Sequence, residues 1–251
     1  MVLPKHRKEE PGREANVYAL VEKLSSRLKE NQITVVGNGS ACVVGGHAYV
    51  IKKGQRFITN SAVAAMGYDL PAAIGAWTAS RDSRCYSQGR DRSGEDLILV
   101  TGDGSIQMNL QELQTIIHHK MGIKIFLINN GGYHSIRQTQ KNFFGEPLIG
   151  IGVDSGDLSF PDMEKLAGAY GYPYIKAEHN SELAKAVEQT LAVEGPVICE
   201  IFVSMDQNFE PKSSAKRLPD GTLVSPPLED LAPFLPEEEM DRNMIIPRIR
   251  E

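Results

Sequence analysis

The feature that most constrains this chain is a recurring unit. A short β-branched or leucine-rich run stops at a turn rich in glycine and amide side chains, then gives way to a helical stretch. Residues 33–36 stop at Gly37-Asn38-Gly39-Ser40, residues 97–100 at Gly102-Asp103-Gly104-Ser105, and residues 123–128 at Asn129-Asn130-Gly131-Gly132. Two further runs, 174–175 and 197–203, share the apolar texture. Strands that are apolar throughout, rather than alternating, are covered on both faces, and intervening helices supply the cover. The expected fold class is therefore α/β, a mostly parallel, doubly wound sheet. Ligands of such sheets sit beyond the carboxyl ends of the strands. All three turns lie there.

Val17, Leu20, Val21, Leu24 and Leu28 follow helical spacing, which predicts an amphipathic helix over 15–30. Asp69 as cap with Pro71 in the first turn opens another. Residues 109–120, the stretch after Phe160, and 181–193 before Gly195 complete the set. Residues 1–14 mix four basic and three acidic side chains with no apolar run behind them, and read as a flexible lead-in without a signal peptide. The main domain is expected over 15–203. Residues 204–251 hold seven of the 14 prolines and ten acids against six bases, the texture of an extended tail packing on the domain or on a partner.

A net charge of −5 and a pI near 5.8 provide no basic surface for tracking phosphates, so no nucleic acid is expected. Cys42, Cys85 and Cys199 are scattered and odd in number, which argues against zinc, an iron–sulfur cluster or a disulfide framework. They fit a reducing, cytoplasmic setting. The longest apolar runs are strand-sized, so no membrane span is expected.

Asp103 sits just past a strand between two glycines, and a helix following it would point free N–H groups back at the same place. A carboxylate beside a phosphate site makes sense if a cation lies between them, and Mg²⁺ takes one or two protein oxygens plus phosphate oxygens. Asn130 follows Asp103 by 27 residues, the length of one turn–helix–strand unit. Neighbouring strands lie ~4.8 Å apart, a gap that two oxygens each ~2.1 Å from one Mg²⁺ can span. The Gly131-Gly132 turn offers a backbone carbonyl as a third ligand. The spacing alone thus suggests a metal–diphosphate site.

Gly102-Asp103-Gly104-Ser105, then Asn109, Gln111-Glu112-Leu113 and Asn129-Asn130, resembles the motif of thiamine diphosphate-dependent enzymes. The segment from Ala65 to Ala76 (Ala-Met-Gly-Tyr-Asp-Leu-Pro-Ala-Ala-Ile-Gly-Ala) is similar to that beneath the thiazolium in acetolactate synthase-like members. The run from Lys216 through Asp220-Gly221 to Pro227-Leu228-Glu229-Asp230 resembles the close of that group. The likeness covers about residues 30–240, in the family the carboxy-terminal, diphosphate-binding domain. It implies that Asp103, Asn130 and the Gly132 carbonyl hold Mg²⁺, and that Asn38, Gly39, Ser40, Gly104 and Ser105 contact the diphosphate. It further implies that Met66 wedges the cofactor into a bent shape, with the Ala64 carbonyl and Met66 N–H on the aminopyrimidine edge. Read alone, Met66 is equally a core side chain, and Gly39-Ser40 equally a plain strand-to-helix turn. Tyr133 and His134 follow the metal turn and are candidate cofactor-facing and catalytic groups. Arg137, Gln138 and Gln140 either bind a carboxylate or lie on an exposed helix.

Relatives also need a glutamate on the pyrimidine, carried by a separate domain. With some thirty residues ahead of its first strand, the chain is expected to be one subunit of a split enzyme. A partner chain would carry the pyrimidine domain and its glutamate, and two such pairs would make a heterotetramer. The resemblance implies decarboxylation of a 2-oxo acid such as pyruvate, then acyl-carbanion transfer to an acceptor. Thr139 after Gln138 replaces the tryptophan of acetolactate synthases, and the run 136–140 looks more like that of glyoxylate carboligases. The alternatives are a subunit of a 2-oxo acid dehydrogenase or oxidoreductase, and a non-catalytic cofactor-binding scaffold.

Overall fold

The computed structural model describes residues 3–10, 12–82 and 96–248. Cys85 lies outside them. The chain divides into two compact units, Met1–Gln207 and Asn208–Glu251. In the first, α1 (Val17–Arg27) leads to β1 (Ile33–Val36), α2 (Ser40–Ala48), β2 (Arg56–Ile58) and α3 (Asp69–Arg81). After β3 (Leu97–Gly102) come α4 (Asp103–Ile106), α5 (Glu112–His118), β4 (Ile123–Asn129) and α6 (His134–Phe143). The unit closes with α7 (Met163–Tyr170), β5 (Tyr174–Ala177), α8 (Asn180–Ala192) and β6 (Val197–Phe202).

The six strands form one sheet in the order β2-β1-β3-β4-β6-β5, with every pairing parallel. β3 and β4 are its centre and are buried along nearly their whole length. Their β-branched and leucine side chains fill both faces, as continuous apolar strands require. On one face Val35, Leu99, Ile125, Leu127 and Ile198 pack with Leu70 and Ala73 of α3, Leu113 and Ile116 of α5, and Met163 and Ala167 of α7. Each fully buried valine, leucine, isoleucine or methionine side chain contributes about 1.5–3 kcal/mol. The α/β parallel fold is as the sequence implied.

Four features differ from expectation. Asp69 does not cap α3: Tyr68 holds the cap position, without a side-chain bond, and Asp69 is the first helical residue with its carboxylate turned inward. The inward turn follows from the Thr101 and Ser105 hydroxyls, which donate to it. Residues 3–10 and 12–14, expected to be flexible, instead lie against α1 and α8. Arg7 pairs with Glu22, Lys23 pairs with Glu9 at 2.6 Å, and Asn180 donates to the His6 carbonyl. The end of the first unit falls at Gln207 rather than 203, because the Gln207 side chain accepts the Val17 N–H and its carbonyl accepts His134 Nε2. The second unit, expected to be extended, contains a hairpin of β7 (Lys216–Arg217) and β8 (Leu223–Val224) and the helix α9 (Glu237–Asn243). Among the described residues no helix is long and apolar enough to cross a membrane.

Lys124, fully buried in β4, donates to the Val193 and Gly195 carbonyls and pairs with Asp96 at 3.2 Å. It ties the α8–β6 turn to the amino end of the sheet. Lys124→Ala would leave both carbonyls and the carboxylate without this donor, an expected loss of about 3 kcal/mol in urea unfolding. A loss below about 1 kcal/mol would mean that water replaces the ammonium.

Candidate functional site

From β1 the chain crosses one way to β2 and then the other way to β3. The loops leaving β1 and β3 therefore diverge and open a crevice at the carboxyl edge, the usual ligand position of such sheets. Asn38, Gly39, Ser40, Met66, Asp103, Gly104, Ser105, Asn130, Gly132, Tyr133 and His134 all line one cleft of about 120 Å³ there. Of the candidate site residues singled out from sequence, Ala64, Arg137, Gln138 and Gln140 are not among its lining. Ala64 is the nearest of them to Met66 in the chain, two positions before it, with a left-handed φ of 54°.

Asp103 is buried at the end of β3. The Gly104 N–H donates to its Oδ1 at 2.8 Å and the Gly132 N–H to its Oδ2 at 3.0 Å. Burial pushes the carboxyl up to about 6, even though these N–H groups and the Arg137 charge pull the other way. Asn130 is also buried. Its Nδ2 donates to Ser40 Oγ at 3.1 Å, while its Oδ1 has no hydrogen-bond partner. A buried carboxylate and a buried, unpartnered amide oxygen at one cleft form a donor set for a hard cation. Gly132, at φ 143°, has no room for a side chain: a Cβ would lie 2.1 Å from the Ile151 carbonyl oxygen.

The anion-binding end differs from expectation. The helix after Asp103 is a single turn that runs into a 3-10 turn over Gln107–Asn109, and the next regular helix starts at Glu112. The nine-residue α2 begins at Ser40, with Gly39 at the cap position and no side-chain cap, so its first-turn N–H groups are left without a cap partner at the end where Asn38, Gly39, Ser40 and Ala41 line the cleft.

Arg137 neither lies exposed nor is available to a substrate carboxylate. It is almost fully buried; Nη1 donates to the Asn130 carbonyl and Nη2 to the Gly131 carbonyl, both at 3.1 Å. Its Nε and Nη2 each reach Asp154 at 2.8 Å. The guanidinium thus clamps the turn that carries Asn130 and Gly132. Gln138 donates to the Gln207 carbonyl, and Gln140 brackets the Ile149 backbone, so these two also serve structure. His134 is buried with Nε2 2.6 Å from the Gln207 carbonyl, and burial lowers its pKa. Asn129, the first amide of the pair, is oriented by Glu200 Oε1 at 2.7 Å and accepts the Gly131 N–H at 3.1 Å. Glu200 was findable: an acid amid Val-Ile-Cys-Glu-Ile-Phe is buried in a central strand and needs a partner. Asp154 and the inward role of Asp69 had no such signal, since an acid in a loop or at a helix start ordinarily faces water.

With this geometry in hand, comparison with known proteins is informative. Residues 37–201 match the family model described as "Thiamine pyrophosphate enzyme, C-terminal TPP binding domain". The chain is 34% identical over 157 residues to the acetolactate synthase large subunit of Cyanidium caldarium, covering 62% of this chain and 24% of that protein. It is 32% identical over 203 residues to the Porphyra purpurea large subunit, covering 76% and 32%. To acetolactate synthase 1, chloroplastic, of Nicotiana tabacum it is 28% identical over 195 residues, covering 76% and 27%. The chain thus spans about a quarter to a third of the length of the curated relatives it matches.

The Arg137 clamp makes a testable demand. Arg137→Met should cost about 3 kcal/mol of stability by removing the buried donor of Asp154 and of the Asn130 carbonyl, while the Gly131 carbonyl keeps the Val153 N–H, read by denaturant unfolding. The pairing also has a pH signature. Asp154, held below its ordinary 3.8 chiefly by the Arg137 hydrogen bonds, contributes stability above that pH and loses it as pH falls through the lower folded value. Unfolding midpoints measured from pH 6 to 2 should fall more steeply for wild type than for Arg137→Met.

Proposed function

Because the chain belongs to the thiamine pyrophosphate enzyme family, through that family's C-terminal TPP-binding domain, we propose that its cleft binds thiamine diphosphate through Mg²⁺ and serves a carboligase or decarboxylase acting on a 2-oxo acid such as pyruvate. The observation that carries this reading is the pairing of buried Asp103 with the unpartnered Asn130 Oδ1 beside the α2 amino terminus. Asp103 and Asn130 would hold the metal with the Gly132 carbonyl. The first-turn N–H groups of α2, with Asn38, Gly39, Ser40, Gly104 and Ser105, would hold the diphosphate. Met66, which also lines the cleft, would press on the rest of the cofactor, with Ala64 beside the aminopyrimidine. When bound, thiamine diphosphate supplies the electron sink for decarboxylation, and the protein supplies position.

The chain's own groups then divide the work. Arg137 and Asn129 keep the metal turn rigid, so that the ligand oxygens are preorganised rather than recruited. Tyr133 borders the cleft and stacks edge-on to Phe160 at 6.0 Å, where it can exclude water. His134, with Nε2–H given to the Gln207 carbonyl, keeps Nδ1 as its basic nitrogen and is the candidate proton carrier near substrate. No glutamate occurs among the described residues lining the cleft. That supports a glutamate arriving from a pyrimidine-binding domain on a partner chain, two pairs forming a heterotetramer. A cleft of about 120 Å³ fits half of such a shared site, since complete small-molecule pockets run to roughly 300–1,000 Å³.

Titration calorimetry with thiamine diphosphate should give binding that requires Mg²⁺ and vanishes with a chelator. Asp103→Ala should lower the affinity at least about 100-fold, because it removes both a ligand and the charge that balances the cation. Unchanged affinity in a folded Asp103→Ala protein would refute the metal assignment. Release of CO₂ from pyruvate is expected when a pyrimidine-domain partner is added; release by the chain alone would refute the need for one.

A further inference from the structure

Asp69 is fully buried, yet the proposed cofactor chemistry gives it no task. Its carboxylate lies at the meeting of three cleft-forming segments. Oδ2 accepts the hydroxyl hydrogens of Thr101, at the end of β3, and of Ser105, at 3.0 Å. Oδ1 accepts the Leu70 N–H at 3.0 Å. From the third side comes Gly37, at the start of the β1 loop, where a Cβ would lie 2.1 Å from Oδ2. Hydrogen bonds offset the desolvation of an interior carboxylate; here the Leu70 bond is local to α3, whereas the hydroxyl bonds tie the carboxylate to the β3 end, whose Ser105 lines the cleft.

Ser105 carries the connection further. Its Oγ accepts the Gly67 N–H at 2.9 Å. Gly67, at φ 78°, is held from the other side by Asn109 Nδ2, which donates to its carbonyl. A hydroxyl has one hydrogen. Given to Asp69, it is unavailable to a phosphate oxygen, and the remaining lone pair repels one. The side chain that the motif presents as a diphosphate donor is therefore engaged elsewhere, and the Ser105 backbone N–H is what it can offer a diphosphate.

We propose that Asp69, acting through the Ser105 hydroxyl, is a positioning residue that sets the Met66-Gly67 loop against the diphosphate turn, and that this hydroxyl does not itself bind the diphosphate. The inference rests on the reading that the cleft takes thiamine diphosphate. Its consequence is a split in ligand dependence. The diphosphate turn serves any diphosphate, whereas the Met66 loop serves only the part of thiamine diphosphate beyond it.

The test compares wild type, Ser105→Ala, Asp69→Asn, the double variant and Gly37→Ala, the last intended to push the carboxylate aside without touching either hydroxyl. Two quantities are read: amide hydrogen exchange at Gly67 by NMR, and calorimetric affinity for thiamine diphosphate and for inorganic pyrophosphate, each with Mg²⁺. Each single variant should speed Gly67 exchange about tenfold and weaken thiamine diphosphate about tenfold, with pyrophosphate affinity within about twofold of wild type. The double variant should be no worse than the more affected single, because both act through one chain of bonds. Equal weakening of both ligands by Ser105→Ala with unchanged Gly67 exchange would overturn the proposal and make the hydroxyl a diphosphate donor. Additive effects of Asp69→Asn and Ser105→Ala would overturn the coupling. Should Asp69→Asn fail to fold, Ser105→Ala and Gly37→Ala still decide the matter. A folded wild type that binds neither ligand would refute the cofactor reading, and Gly67 exchange, which needs no ligand, would then decide the coupling by itself.

Discussion

Burying a carboxylate at the open edge of an apolar sheet is the constraint around which this domain is organised. Asp103 leaves the most central pair of strands with almost no contact with water, and two backbone N–H groups do not offset the cost of its charge, as its raised pKa records. Such a group is a poor choice for stability alone. Its neighbours make sense as the shell that tolerates it: Gly104 and Gly132 as donors, Arg137 as a nearby positive charge, and Asn130 as a second oxygen, one without a hydrogen-bond partner. On the proposed reading a hard cation would satisfy both oxygens together, and a metal site considered without its ion looks unfavourable for that reason.

The supporting shell is polar and buried, and each member is committed. Arg137 binds two carbonyls of the Asn130–Gly132 turn and a carboxylate from the next loop. Glu200 fixes Asn129, which in turn caps the Gly131 N–H. Asp69 gathers Thr101, Ser105 and the start of α3. Three buried charges thus brace three turns, on strands whose own contacts are almost wholly apolar. This division is physically sensible: dispersion and hydrophobic burial hold the sheet together without directional preference, whereas hydrogen bonds to charged groups fix orientation.

The legible part of this protein and the hidden part separate along that same line. The strands were legible because full burial demands continuous apolar runs, and the turns because glycine and amide side chains punctuate them. The Asp103, Asn130 and Gly132 positions followed from one strand-to-strand spacing. β2 was not read, since Arg-Phe-Ile is short and half-exposed at an edge. The second unit looked extended because proline dominates its texture, yet a hairpin and a helix fit between the prolines.

What the sequence determined by itself is therefore the class of fold, the edge at which the cleft opens and the oxygen atoms that gather there, since periodicity and residue chemistry are local properties. Which polar side chains face inward was decided only by the tertiary structure. Asp69 reads as a helix cap, Arg137 as a surface cation and Ser105 as a phosphate donor. Each is turned to another task by groups 17 to 36 residues away in sequence: Asp154 for Arg137, and the Asp69–Ser105 pair for one another. Hydrogen-bond partners of that kind are chosen by folding, because a side chain's orientation depends on what the packed chain places beside it.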